Sequence, residues 1–441
     1  MMQERPEISA FIFSTFDTGI VIDTAMLGAE NYFQYSSKTL ALLQKIYPHA
    51  IWGQEDSLAL RGKDDPIDFF PIFNLSYIKA SCPKVLSKRT FSMPLPSGIT
   101  CVVNVADPIV YFHTFSAGTI SMEVSLSWSK PYTTDDLHQA NHSLLGELAP
   151  LVETELQTMI QVFGQAVKDS QCPIYKLPFK NLMPVTISRK LLYWSHFVYI
   201  AKVPDGEDYN AASQWLIPLM QPVTGKKVEN MALKPNRYIY LGWGRSIICC
   251  EKSLSIQTIY SYVHMLEIRN YLWKTLYDLD RGLRNAMIDT RGLHSDKEIL
   301  QLSYNLHALD FHIEEILENI DIFKINFDYE KIWLSKWLDE NWLTHDLIAS
   351  LQKRLQSFRD LYDYDEEMTK YQQEKRLQSV LNIIAVVAVS GTITGIVQYF
   401  DPLNKLSIAI RAVLFLTSLI FLIFFYILTT AIVRQIRHRR D

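Results

Sequence analysis

The chain runs to 441 residues, 48% of them hydrophobic and 20% charged, with a formal net charge of −4. That is too long for one ordinary domain and long enough to bury at least two cores. The mildly acidic balance supplies no bulk attraction for a polyanion, so nucleic acid is not an expected partner.

The first residues, Met1-Met2-Gln3-Glu4-Arg5-Pro6, contain no basic stretch leading into an apolar one. No secretory signal is read there, and the large N-terminal portion is expected on the cytoplasmic side. Ile8 to Ile22 is rich in β-branched and aromatic residues and predicts a strand, whereas Ser37 to Ile46 has helical spacing. Further strands are predicted over Ile99 to Val105, Ile109 to Phe115 and Ile120 to Trp128, then a helix over Thr134 to Val167. Leu192 to Val203 and Arg237 to Trp243 read as strands, and Ser246 to Cys250 as a buried one. Prolines and glycines spread through this half limit element length. Residues 1–250 are therefore expected to form a cytoplasmic α/β or α+β domain of one or two subdomains, with a candidate boundary near Cys172-Pro173. The five cysteines, Cys82, Cys101, Cys172, Cys249 and Cys250, are odd in number and suit neither a metal knuckle nor a disulfide framework. They read as small core residues of a reducing compartment.

Beyond Pro235 the next proline is Pro402, and neither glycine nor proline occurs between Gly292 and Gly391. Such sequence is helical in character. A helix over Ser255 to Met287 places Ile259, Val263, Leu266, Trp273 and Leu276 on one face. Ile299, Leu302, Leu306, Leu309, Ile313, Ile316, Ile320, Phe323 and Phe327 alternate steps of three and four, the seam of a coiled coil. Trp333, Trp337 and Trp342 stand with Ile332, Leu334 and Leu338 in a short amphipathic stretch, read as a packed corner in preference to a membrane-surface helix. A third long helix begins near Leu343. Residues 251–376 are thus expected to form a helical bundle or coiled-coil stalk.

The last segment, 377–441, carries two uncharged runs, Gln378 to Phe400 and Ala412 to Val433. They predict transmembrane helices at about 378–400 and 412–433, joined by Asp401-Pro402-Leu403-Asn404-Lys405 as an antiparallel hairpin. Lys370, Lys375 and Arg376 precede the first run and Arg434, Arg437, Arg439 and Arg440 follow the second. By the positive-inside rule both termini lie in the cytoplasm and the protein is multi-pass in the cell membrane. The expected fold class is an α+β cytoplasmic N-terminal domain followed by a long helical stalk and a two-helix transmembrane hairpin.

In the first run Asn382, Ser390, Thr394 and Gln398 are separated by multiples of four and are candidates to line a pore shared between copies of the chain. Gly391 and Gly395 form a G-x-x-x-G pair suited to plain helix packing, and the two readings compete. Asp360, Asp363, Asp365, Glu366 and Glu367 form an acidic cluster that either concentrates cations or is a solvated face. His307, Asp310 and Glu314 share a face at ligand-like spacing, a weak metal signal. Enzyme signatures are absent: Gly225-Lys226 lacks the upstream glycine of a phosphate loop, Gly242-Trp243-Gly244 is no dinucleotide fingerprint, and neither H-E-x-x-H nor G-x-S-x-G occurs. No enzyme is expected, with a site outside these motifs left open for the N-terminal half.

The order of parts resembles the CorA-like magnesium transporter superfamily, with Thr394-Gly395-Ile396-Val397 placed as in the end of that family's first span. Gln398-Tyr399-Phe400 stands where the family has Gly-Met-Asn, so magnesium selectivity does not carry over. The resemblance implies a homo-oligomer, a pentamer by family, in the lipid bilayer. It also implies passage of cations, a divalent ion such as magnesium included, under control of an unknown cytoplasmic ligand. The alternative is a membrane-anchored sensor or effector, as divergent CorA-like proteins look to be used in prokaryotic defence.

Overall fold

A computed structural model describes residues 7–22, 24–53, 76–81, 89–175, 195–204, 209–220, 228–289, 313–314 and 328–399, with scattered positions between 409 and 424. Its centre is a long strand, β1 (Glu7–Ile22), which is buried along most of its length. Burial of successive residues, not of alternate ones, means that both faces of the sheet are covered. On one side β1 pairs antiparallel with β7 (Phe115–Trp128), from Ser9 opposite Ser125 to Asp17 opposite Ala117. The register then shifts to Val21 opposite Phe115. Gly19 sits in that irregularity at φ 65°, a conformation that costs glycine little, and its N–H donates to Asp17 Oδ1 at 2.9 Å.

On its other side β1 pairs antiparallel with β9 (His196–Val203). The next strand, β11 (Arg245–Glu251), runs parallel to β9 with Arg245 opposite Phe197, and β10 (Arg237–Leu241) closes that edge. Beyond β7 come β6 (Ile109–His113), β3 (Ser76–Ser81) and β2 (Ile51–Gly53). The pair β4 (Thr90–Pro94) and β5 (Thr100–Val105) attaches to β7, and β8 (Ile174–Tyr175) to the end of β1. Together they make an 11-stranded mixed sheet.

Helices α1 (Thr24–Ile46) and α2 (Thr134–Asp169) cover one face. Thr133 and Asp136 form a capping box that starts α2, and Leu137, Leu144, Leu148, Val152, Leu156 and Phe163 bury its inner side. After β9 come α3 (Tyr209–Leu216) and a 3-10 turn, Ile217–Leu219. The second face is taken by α4 (Ile256–Asp289), which packs on β1, β7 and β9. Tyr262, Val263, Met265, Leu266, Ile268, Tyr271 and Leu272 of α4 are all buried, more than one helical stripe. That explains why α4 lies on the sheet and does not begin a free stalk.

Next is α5 (Tyr329–Asn341), capped at its start by Asp328, whose side chain accepts the N–H of Lys331 at 2.8 Å. Leu343, at φ 53°, turns the chain into the 56-residue α6 (Thr344–Tyr399). The molecule divides into two compact units, one of Met1–His294 with Leu300–Arg359 and one of Ser295–Ile299 with Asp360–Asp441. The first holds the sheet, α1 to α5 and the opening turns of α6. The second holds the remainder of α6 and the scattered helical positions that follow.

The expected fold class is corrected by these observations. Among the described residues no helix is long and apolar enough to cross a membrane. Gln378 to Tyr399 does lie in α6, yet lack of charge there is not the same as continuous apolar sequence. The longest unbroken apolar run is Ile383 to Val389, seven residues, after which Ser390, Gly391, Thr392, Thr394, Gly395 and Gln398 intervene. Most of 412–433 lies outside the described residues, as does the coiled-coil seam apart from Ile313, which is buried. The transmembrane hairpin, the multi-pass membrane location and the magnesium and ion-transport assignments built on it are corrected accordingly.

Candidate ligand-binding site

Three tryptophans far apart in sequence meet at one end of the sheet. Trp243 stands in the turn between β10 and β11, followed by Gly244 at φ 73°. The Gly244 carbonyl accepts the N–H of Phe197 at 3.0 Å, which ties the turn to the start of β9. Trp273 projects from α4, and Trp342 follows directly on α5. The ring of Trp243 packs edge-to-face on Trp273, centroids 4.8 Å apart at 88°, and on Trp342 at 5.7 Å and 78°. Trp273 Nε1 donates to the Trp342 carbonyl at 3.0 Å. Edge-to-face packing fixes the three rings relative to one another.

These rings border a cavity of about 380 Å³ whose lining includes Thr15, His142, His196, Arg245, Asn270 and Lys274. Among the described residues of the lining, every one with a formal charge is basic. Arg245 is set by its backbone, opposite Phe197 in the parallel pair, and by two side-chain bonds. Its Nη1 donates to the Leu219 carbonyl at 2.8 Å and its Nη2 to His138 Nε2 at 3.2 Å. Burial, then the Arg245 guanidinium and His142, lower the pKa of His138, which keeps that ring in the neutral form able to accept. Lys274 pairs with Asp278 one turn along α4. A second cavity of about 320 Å³, bordered by Pro94, Leu95, Pro96, His138 and His142, adjoins through His142.

His196 and Ser246 form the pair that most resembles a nucleophile with its base, Nε2 to Oγ at 2.9 Å. Burial pushes His196 from 6.5 down to about 3, far from the range in which an imidazole works as a general base near neutral pH. Ser246 is fully buried, and the His196 ring stacks on Phe13 at 5.0 Å. The pair is a satisfied hydrogen bond in the wall of the cavity. The thiols are equally quiet. Cys101 and Cys249 are pushed up to about 12 and Cys250 to about 11, chiefly by burial, so they stay protonated.

The residues singled out by the sequence lie elsewhere. Asn382 is half-buried on α6, while the side chains of Ser390, Thr394 and Gln398 fall outside the described residues. Gly391 and Gly395 are exposed, and a Cβ added at either would meet nothing within 4 Å in this single chain. Asp360 and Glu367 are exposed; the side chains of Asp363, Asp365 and Glu366 are outside the described set, as are His307 and Asp310. Glu314 is exposed, and among the described residues no group of three or more potential metal ligands occurs. Trp243, Trp273 and Trp342 were each visible in the sequence, but as a failed fingerprint, a helix face and a packed corner. Nothing in the spacing brought them together, and Arg245 and Lys274 gave no signal.

No family model, curated protein or solved structure matches this chain. The CorA-like resemblance therefore finds no counterpart among them, and the functional reading rests on the cavity alone.

Proposed function

We propose that this chain is a ligand-responsive sensor whose first unit captures a small molecule bearing a flat ring and a negative charge, with a mononucleotide as the simplest example. The observation that supports this reading is the cavity itself, which combines Trp243, Trp273 and Trp342 with Arg245 and Lys274 and has no carboxylate among the described residues of its lining. Its volume falls in the usual range for small-molecule sites, roughly 300–1,000 Å³. Indole walls reward a flat ring by stacking and by burial of apolar surface. A guanidinium held by two hydrogen bonds is pre-organised for phosphate or carboxylate. The same positive charge disfavours a divalent cation as occupant. Of the two readings offered by the sequence, a conducting pore and a sensor or effector, the cavity favours the second.

Titration of the full chain with AMP, followed by calorimetry and by tryptophan fluorescence, tests the reading. AMP is expected to bind and to perturb the emission, with adenosine much weaker. Arg245→Ala should weaken AMP binding at least about tenfold, since a charge-assisted bond is worth ~1.5–3 kcal/mol. Equal affinity for AMP and adenosine, or no response to either at millimolar concentration, would overturn it.

A further inference from the structure

We infer that the cavity walled by Trp243, Trp273 and Trp342 and the one bordered by Pro94, Leu95 and Pro96 are two halves of a single site, whose ligand joins two flat groups through an anionic linker, a dinucleotide in chemical class. This rests on the sensor reading and extends the ligand by a second ring beyond a mononucleotide.

The two cavities meet at a basic partition. His142 borders both of them. Arg245 lines the first and His138 the second, and the bond from Arg245 Nη2 to His138 Nε2, 3.2 Å long, ties one lining to the other. His138 and His142 stand four residues apart on α2, which puts them on one face of the helix. Arg245 has five N–H groups, of which the bonds to Leu219 and His138 use two. Three are left for an anion. A guanidinium can only donate, so His138 Nε2 is the acceptor of that pair. The proton of the neutral ring then sits on Nδ1, a further donor at the second cavity. Arg245 gives the partition a permanent positive charge, the match for a phosphodiester, which keeps one negative charge. The second cavity, about 320 Å³, is itself large enough for a small-molecule group. Its prolines and Leu95 offer an apolar side, while Gln139 and Ser143, one turn apart on α2, bring the amide and hydroxyl groups that read the edge of a base. A mononucleotide held by the indoles, with its phosphate at the partition, leaves this second cavity empty. A second nucleoside beyond the phosphate fills it.

The experiment compares AMP with the dinucleoside monophosphate adenylyl-adenosine on the full chain, by calorimetry, with the wild type and with Ser143→Trp. That substitution fills the second cavity from an exposed position on α2. The dinucleotide carries less negative charge than AMP, whose phosphate monoester is close to doubly ionised at neutral pH, so charge alone would favour AMP. The dinucleotide is expected to bind the wild type at least about tenfold more tightly than AMP, through burial of its second ring. In Ser143→Trp the two ligands should bind about equally. The inference is overturned if the advantage on the wild type falls short of that, or if it survives in Ser143→Trp. The comparison on the wild type stands even where the variant does not fold. Failure of both ligands to bind the wild type would overturn the sensor reading and this inference together; AMP bound as tightly as the dinucleotide overturns this inference alone.

Discussion

His196 makes the stability of the first unit depend on pH. Its folded-state pKa is depressed by burial to about 3, from 6.5. Between those values the unfolded chain binds a proton that the folded chain refuses, so stability is complete above about 6.5 and falls as the solution is acidified. At pH 5 the expected loss from this residue is about 2 kcal/mol relative to pH 7.5. His138, also depressed, acts in the same direction. Urea unfolding at the two pH values should therefore show a lower midpoint at pH 5. His196→Gln, which keeps a polar group beside Ser246 and does not titrate, should recover most of the difference. An unchanged gap in that variant would place the acid sensitivity elsewhere. The chemistry of this histidine was not legible in the sequence, because nothing local shows that Phe13 and Ser246 enclose it.

At the scale of elements, one buried carboxylate holds α5 in place. Glu330 Oε1 accepts the N–H groups of Leu233 at 2.8 Å and Lys234 at 3.2 Å, while Oε2 lies 3.2 Å from Arg237 Nε and accepts the Tyr262 hydroxyl. Arg237 and Lys331 both stand over the Tyr262 ring. Glu330 and Arg237 are 2% and 1% exposed, so removing the carboxylate leaves a guanidinium buried without its counter-charge. Glu330→Ala is expected to cost about 3–5 kcal/mol. Hydrogen exchange should quicken first in α5 and in the segment before β10, and uniform protection with an unaltered unfolding midpoint would refute that role. Strands were the more legible part of the fold. β1, β5, β9, β10 and β11 announce themselves by β-branched and aromatic runs, and α2 by the helical spacing of Thr134 to Val167. β2 and β8 span only three and two residues and offer too short a pattern to read, while β3 (Ser-Tyr-Ile-Lys-Ala-Ser) and β4 (Thr-Phe-Ser-Met-Pro) carry few β-branched residues. Nor does any local signal tell that β11 joins β9 in parallel, and it is this pairing that carries Arg245 and Trp243 to the cavity.

At the scale of the whole molecule, the two transmembrane spans read from uncharged, largely apolar runs are overturned, since among the described residues no helix is long and apolar enough to cross a membrane. The same region has another property. Leu377, Val380, Leu381, Ile383, Ile384, Val387 and Val389 of α6 all lie open to solvent. Water penalises such surface by roughly 25 cal/mol per Å², and contiguous apolar patches of this kind mark places where molecules adhere. The isolated protein should accordingly be a poor colloid. Its apparent mass in sedimentation should climb with concentration, climb further in ammonium sulfate, and drop to that of the single chain when Leu381, Ile384 and Val387 are replaced together by serine. A mass independent of concentration and salting-out would show that this greasy strip is harmless in solution.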